Sequence, residues 1–123
     1  MSYDISFKVK AEGTDCWIDV GNCQANITWN LGEMIRKSTR LEWNNEANNG
    51  LCKDIIPCIL KGLRNLENYP THYKKYEAEN GWGTIEGCKH FFEQIIKCWN
   101  NYCQEMIWDN NKKVIDVTTF WIE

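Results

Sequence analysis

No apolar run in these 123 residues approaches the roughly 20 needed to cross a bilayer; Ile55-Ile56-Pro57-Cys58-Ile59-Leu60 is among the longest. No membrane-spanning helix is expected. The first residues, Met1-Ser2-Tyr3-Asp4, lack the basic and apolar regions of a secretory signal, so the chain is expected to stay in the cytosol where it is made. An excess of positive charge is missing too. The 17 acids outnumber the 14 bases and are spread along the chain, for a net charge of -3. A duplex-binding protein would show a basic face, so direct duplex DNA binding is not expected. The chain also falls short of the acidic density of a DNA mimic.

Catalytic and metal signatures are scarce. The sequence contains no G-x-S-x-G, no Walker-type loop and no H-E-x-x-H. The seven cysteines (Cys16, Cys23, Cys52, Cys58, Cys88, Cys98 and Cys103) are odd in number and include no C-x-x-C pair. Structural zinc usually leaves closely spaced ligand pairs, so no metal is expected. Reduced, mostly buried thiols fit a cytosolic chain. Histidine is limited to His72 and His90. Two residues apart on a helix, Cys88 and His90 point about 200° apart and cannot act as a pair.

What is present suits one domain over residues 1–123. A composition of 43% apolar, 13% aromatic and 25% charged residues is that of a globular protein. That length buries roughly two-thirds of the unfolded chain's surface. Seven tryptophans can tighten a small core, and any left exposed suggest a contact surface.

Ile5, Phe7 and Val9 alternate with Ser6, Lys8 and Lys10, the period of a half-buried strand. After a turn at residues 12–15, Cys16, Ile18 and Val20 alternate with Trp17 and Asp19, which completes a β-hairpin. The chain is then expected to leave the sheet at Gly21-Asn22. Asn30, with Glu33 three residues on, predicts a capped helix over residues 31–38 with Leu31, Met34 and Ile35 inward. The asparagine-rich stretch at residues 40–50 reads as a loop. A second helix is expected from about Asp54, with Pro57 in its first turn and a stop at Asn68-Tyr69-Pro70. A long connection, residues 71–83, leads to Thr84, a lone cap for a third helix ending near Glu105. Along it Ile85, Cys88, Phe92, Ile95, Trp99, Tyr102 and Met106 recur at three- and four-residue steps. Residues 114–122 are rich in β-branched and aromatic types and read as a closing strand. The expected fold is α+β: an N-terminal hairpin, three helices and a C-terminal strand, with helices on one face of a small antiparallel sheet.

Two short stretches stand out for function. In Asn26-Ile27-Thr28-Trp29-Asn30, the asparagines and threonine either satisfy local backbone or line a polar pocket. The ligand-binding expectation joins Asn22, Asn26, Thr28 and Trp29 to Asn80 and Trp82, combining amide hydrogen bonds with stacking. In Asn80-Gly81-Trp82-Gly83 the glycines allow positive φ around an anchoring tryptophan, and a glycine-bounded turn at a helix N-terminus can also bind an anion through free N–H groups. For protein binding, Trp43, Trp108 and Trp121 are the expected exposed anchors.

These motifs carry a resemblance. Residues 19–22, the N-x-T-x-N-x-x-x-M pattern from Asn26 to Met34, Ile56-Pro57, Gly62-Leu63, Tyr69-Pro70, Tyr73 and Asn80-Gly81-Trp82-Gly83 fall in an order covering most of residues 16–105. In that order the chain resembles a group of small, uncharacterised phage- and prophage-associated proteins. The resemblance implies no activity and no cofactor. It implies a phage or mobile-element setting, in which small accessory proteins often inhibit host defences. The departures are the many cysteines, the asparagine-rich loop at 44–49 and the aromatic C-terminus.

The function expected is therefore a non-catalytic binding protein of anti-defence or anti-CRISPR type. Its partner would be a host defence protein or a small nucleotide-like ligand, and no oligomeric state is implied. The alternative is a small enzyme using His72 with a nearby carboxylate such as Glu77 or Glu79.

Overall fold

The computed structural model describes residues 2–10, 15–43, 50–79, 81, 83–108 and 118–122; for 9–10, 17–24, 102–108 and 118–122 only the backbone is described. Helices and antiparallel strands are mixed. Strand β1 (Ser2–Lys10) pairs with β2 (Trp17–Thr28), and the chain enters helix α1 (Gly32–Thr39) through a 3-10 turn, Trp29–Leu31. A two-residue strand β3 (Gly50–Leu51) leads into α2 (Cys52–Asn68). The single turn α3 (Pro70–Tyr73) continues into a 3-10 turn, Lys74–Tyr76. Helix α4 (Ile85–Trp108) and strand β4 (Thr118–Ile122) follow. Sheet order is β2-β1-β4-β3, with each neighbouring pair antiparallel.

Strand β1 sets the inner face. Tyr3, Ile5 and Phe7 are buried in the core; of the alternate positions Ser2 and Asp4 are exposed, while Ser6 is buried with them. Helices α1, α2 and α4 close over that apolar face. Met34 and Ile35 come from α1, Ile55, Ile56 and Ile59 from α2, and Cys88, Phe91, Phe92 and Ile95 from α4. Each fully buried side chain of this size stabilises the fold by about 1.5–3 kcal/mol relative to exposure.

Three expectations about the elements change. Strand β2 does not stop at Gly21-Asn22 but runs on to Thr28. The pairings Lys8↔Asp19 and Ser6↔Gln24 leave residues 20–23 opposite Phe7 alone, so an irregularity absorbs the glycine and lets pairing resume. Beyond it Ile27 is buried and Asn26 exposed, the alternation of a strand. Helix α2 begins before Asp54, which puts Pro57 past the first turn, where its missing N–H leaves the Lys53 carbonyl without a helical donor. Four helices, not three, occur among the described residues. Pro70 occupies the first position of the extra turn, and the Tyr69 carbonyl accepts from the N–H groups of His72 (3.1 Å) and Tyr73 (3.3 Å).

Helices α1 and α2 meet at Gly62. A Cβ placed there would lie 2.5 Å from Thr39 Cγ2 and 3.1 Å from Phe92 Cε2. The contact is too close for any side chain, and alanine's better helix propensity is worth only about 1 kcal/mol. Gly62→Ala is therefore expected to lower stability by a net ~1–2 kcal/mol in urea titration. Adding Thr39→Ser, which deletes the clashing methyl and keeps the hydroxyl, should restore part of the loss. A Gly62→Ala protein as stable as the parent would show that the helices separate at little cost.

Candidate functional site: the strand-to-helix corner

The two stretches singled out above meet where β2 ends and α1 begins. A Cβ at Gly83 would fall 2.9 Å from Leu31 Cγ and 3.5 Å from Asn30 Cβ, so the glycine admits close packing against the corner. Gly81 serves differently. It has φ +76 and closes a turn by donating its N–H to the Ala78 carbonyl at 3.1 Å. Positive φ is thus the need at Gly81, and close approach is the need at Gly83. Asn80 and Trp82 lie outside the described residues, as does the side chain of Asn22, whose backbone falls in the irregular stretch of β2.

The polar side chains of the first stretch have structural partners. Asn26 sits directly across from Asp4, and its Nδ2 donates to Asp4 Oδ1 and, at 3.0 Å, to Ser2 Oγ. The amide cross-links the solvent-facing side of the hairpin. Thr28 caps the 3-10 turn, its Oγ1 accepting from the Asn30 N–H at 3.4 Å. The cap is therefore Thr28, not Asn30. The turn starts at Trp29, two residues before the expected helix, which moves the cap position back by the same amount. Leu31 precedes α1 without a side-chain cap.

Trp29 is the aromatic these contacts leave at the surface. It is 41% exposed and stacks on Tyr3, with centroids 5.7 Å apart and planes 30° from parallel. Tyr3 in turn meets buried Trp43 edge-on at 5.7 Å. Gly32 leaves room for this arrangement, since a Cβ there would stand 3.0 Å from the Tyr3 hydroxyl oxygen. Tyr3 was absent from the expected site residues. Its signal was the strand alternation, which extends back through Ile5 to position 3.

Of the tryptophans expected as protein-binding anchors, Trp43 is corrected. It is 0% exposed, held edge-to-face between Tyr3 and Phe91, and belongs to the core. The side chains of Trp108 and Trp121 lie outside the described residues.

The helix N-terminus beside the corner is already occupied. Thr84 Oγ1 accepts from Gly87 N–H at 3.1 Å, as a lone cap does, and Glu77 Oε2 accepts from Ile85 N–H at 3.1 Å. A carboxylate of the chain thus sits where an external anion would. This also bears on the alternative enzyme. His72 is exposed on α3 with its ring edge-on to Tyr73 at 4.9 Å, while Glu77 is engaged with the helix. Among the described residues no hydrogen bond links His72 to a carboxylate, and no cluster of three or more metal-ligating side chains occurs. No described helix is long and apolar enough to cross a membrane.

The thiols fall in three classes. Cys16 is exposed, Cys58 and Cys98 are half-buried, and Cys52 and Cys88 are buried. Cys23 and Cys103 lie outside the residues whose side chains are described. Burial pushes the Cys88 thiol up to about 12.

No protein-family model, curated protein or solved structure matches this chain.

The buried Cys88 thiol has two measurable consequences. Native protein treated with iodoacetamide near pH 8 should be modified at Cys16 and spared at Cys88, as read by peptide mass spectrometry. The alkaline limb of stability follows from the same shift. Below pH 9 the thiol is protonated in both the folded and unfolded chain and has no effect on the pH dependence. Between 9 and about 12 only the unfolded chain loses the proton, so stability falls by up to about 1.4 kcal/mol per pH unit. In Cys88→Ala the decline should be shallower, with neutral-pH stability as the reference.

Proposed function

We propose that this is a non-catalytic binding protein that engages its partner through the corner around Trp29. In the phage or mobile-element setting that its sequence motifs suggest, it acts against a host defence component. It does so by covering a protein surface or by holding a nucleotide-like ligand.

One observation carries this reading: a large aromatic ring is exposed at the corner and backed by Tyr3. Tryptophan is enriched at binding hot spots because one ring contributes much apolar area with few rotatable bonds. A ring already held by a neighbour has less freedom to lose on binding. Asn26, Thr28 and Gly83 support the reading indirectly, since they hold the backbone on either side of the indole.

The test is capture from bacterial host lysate by tagged parent and Trp29→Ala proteins, with eluates analysed for both proteins and small molecules. The parent should retain a specific species that the variant loses by at least about tenfold, the size of a modest hot spot. Matching thermal melts would show that the variant is folded. If parent and variant retain the same species equally, the corner is not the binding site.

A further inference from the structure

A second set of exposed side chains is not used at the Trp29 corner. Residues 61–76 hold four bases, Lys61, Arg64, Lys74 and Lys75, against one acid, Glu67, in a chain of net charge -3. All four bases are exposed. Among the described residues none of them forms an ion pair. Lys75 instead lies over the Tyr76 ring, 5.2 Å from its centroid.

The backbone turns sharply in the middle of this charge. Tyr69 ends α2, donating its N–H to the Asn65 carbonyl at 2.9 Å, and its own carbonyl starts α3. Two bases therefore precede the corner on α2 and two follow it after α3. Lys61 stands about 12 Å from Tyr69 along the helix axis. Asn65 ties the surface to α1, its Nδ2 donating to the Ser38 carbonyl at 2.9 Å, and exposed Arg40 lies just beyond the end of that helix.

Between the two pairs of bases Tyr69 is 60% exposed. Its neighbours Tyr73 and Tyr76 contact one another, but among the described residues no ring stacks on Tyr69. An acidic peptide would use the cations and leave such a ring idle. A chain of alternating phosphates and planar bases would use both.

We propose that this surface binds single-stranded nucleic acid. Lys61, Arg64, Lys74 and Lys75 take the phosphates, and Tyr69 stacks on a base. The duplex remains disfavoured, because its bases are already stacked and only charge would attract it. With few cations in an acidic protein, affinity is modest and strongly dependent on salt.

The experiment is fluorescence anisotropy with labelled oligothymidylate and oligouridylate of about 12 nucleotides, within the usual range for small single-strand sites. Binding should appear at low salt and weaken with a log–log slope of about -2 to -3, as expected for three or four phosphates. Tyr69→Ala should weaken binding about five- to a hundredfold with the slope unchanged, while Tyr69→Phe keeps the affinity. Lys74→Gln with Lys75→Gln should weaken binding and flatten the slope by about 1.4. All substitutions are on exposed side chains, and thermal melts should overlay. Absence of binding at low salt overturns the proposal. So does Tyr69→Ala binding like the parent, or polyglutamate displacing the probe as well as unlabelled oligonucleotide, which would assign the surface to acidic polypeptides.

Discussion

The burial of Trp43 joins three separate parts of the chain at one side chain. It sits in the irregular connection after α1, yet none of its surface reaches solvent. Its ring meets Tyr3 of β1 at 80° and Phe91 of α4 at 89°, the edge-to-face geometry that aromatic quadrupoles favour. Its carbonyl accepts from Arg36 Nη1 of α1 at 3.1 Å. One residue thereby fastens the sheet, the long helix and the first helix together. Burying an indole removes about 150–250 Å² from water, or about 4–6 kcal/mol of transfer free energy before chain entropy is counted. Residues 40–43 are thereby held at this anchor as well as at the end of α1.

From Trp43 a run of aromatic contacts leads outward. Phe91 touches Trp43, Trp43 touches Tyr3, and Tyr3 carries Trp29 at the surface. The exposed indole therefore rests on rings that are close-packed into the core, where displacement meets resistance. The polar residues around it have a different task. Asn26 bridges β2 to β1, and Thr28 receives an N–H of the turn. The described hydrogen bonds at this corner are made within the chain, and the large ring left exposed is aromatic. A protein surface or a stacking ligand fits such a face better than a ligand that needs many amide contacts.

The fold was legible in the sequence wherever burial follows a period. Tyr3, Ile5 and Phe7 repeat every two residues, and Ile85, Cys88, Phe92 and Ile95 keep helical spacing, so their burial is written locally. Trp43 carries no such signal. Its neighbours in sequence are polar, and its burial depends on Tyr3 and Phe91, forty residues and more away. The continuation of β2 was hidden for a related reason. Gly21-Asn22 resembles a turn locally, and only the partner strand shows that pairing resumes at Gln24. Site residues divide the same way: Thr84 as a cap was readable, whereas the role of Gly83 depends on Leu31, which comes from far up the chain.

Charge offers the sharper lesson, because a total says little about how it is arranged. The net charge of -3 argues against a broadly basic protein and is the ground for not expecting duplex binding. Several acids, however, have partners within the chain. Asp4 accepts from Asn26, Glu77 from the first N–H of α4, and Glu86 pairs with Lys89. The cations of residues 61–76 have no ion-pair partner among the described residues. Their potential is felt nearby within a Debye length, about 8 Å at physiological salt, where distant acids contribute little. A short polyanion arriving at this surface meets the local charge, while a long rigid duplex would also meet the acidic remainder. The same arithmetic that disfavours the duplex is compatible with a short flexible strand, and the exposed ring of Tyr69 gives that strand a second means of attachment.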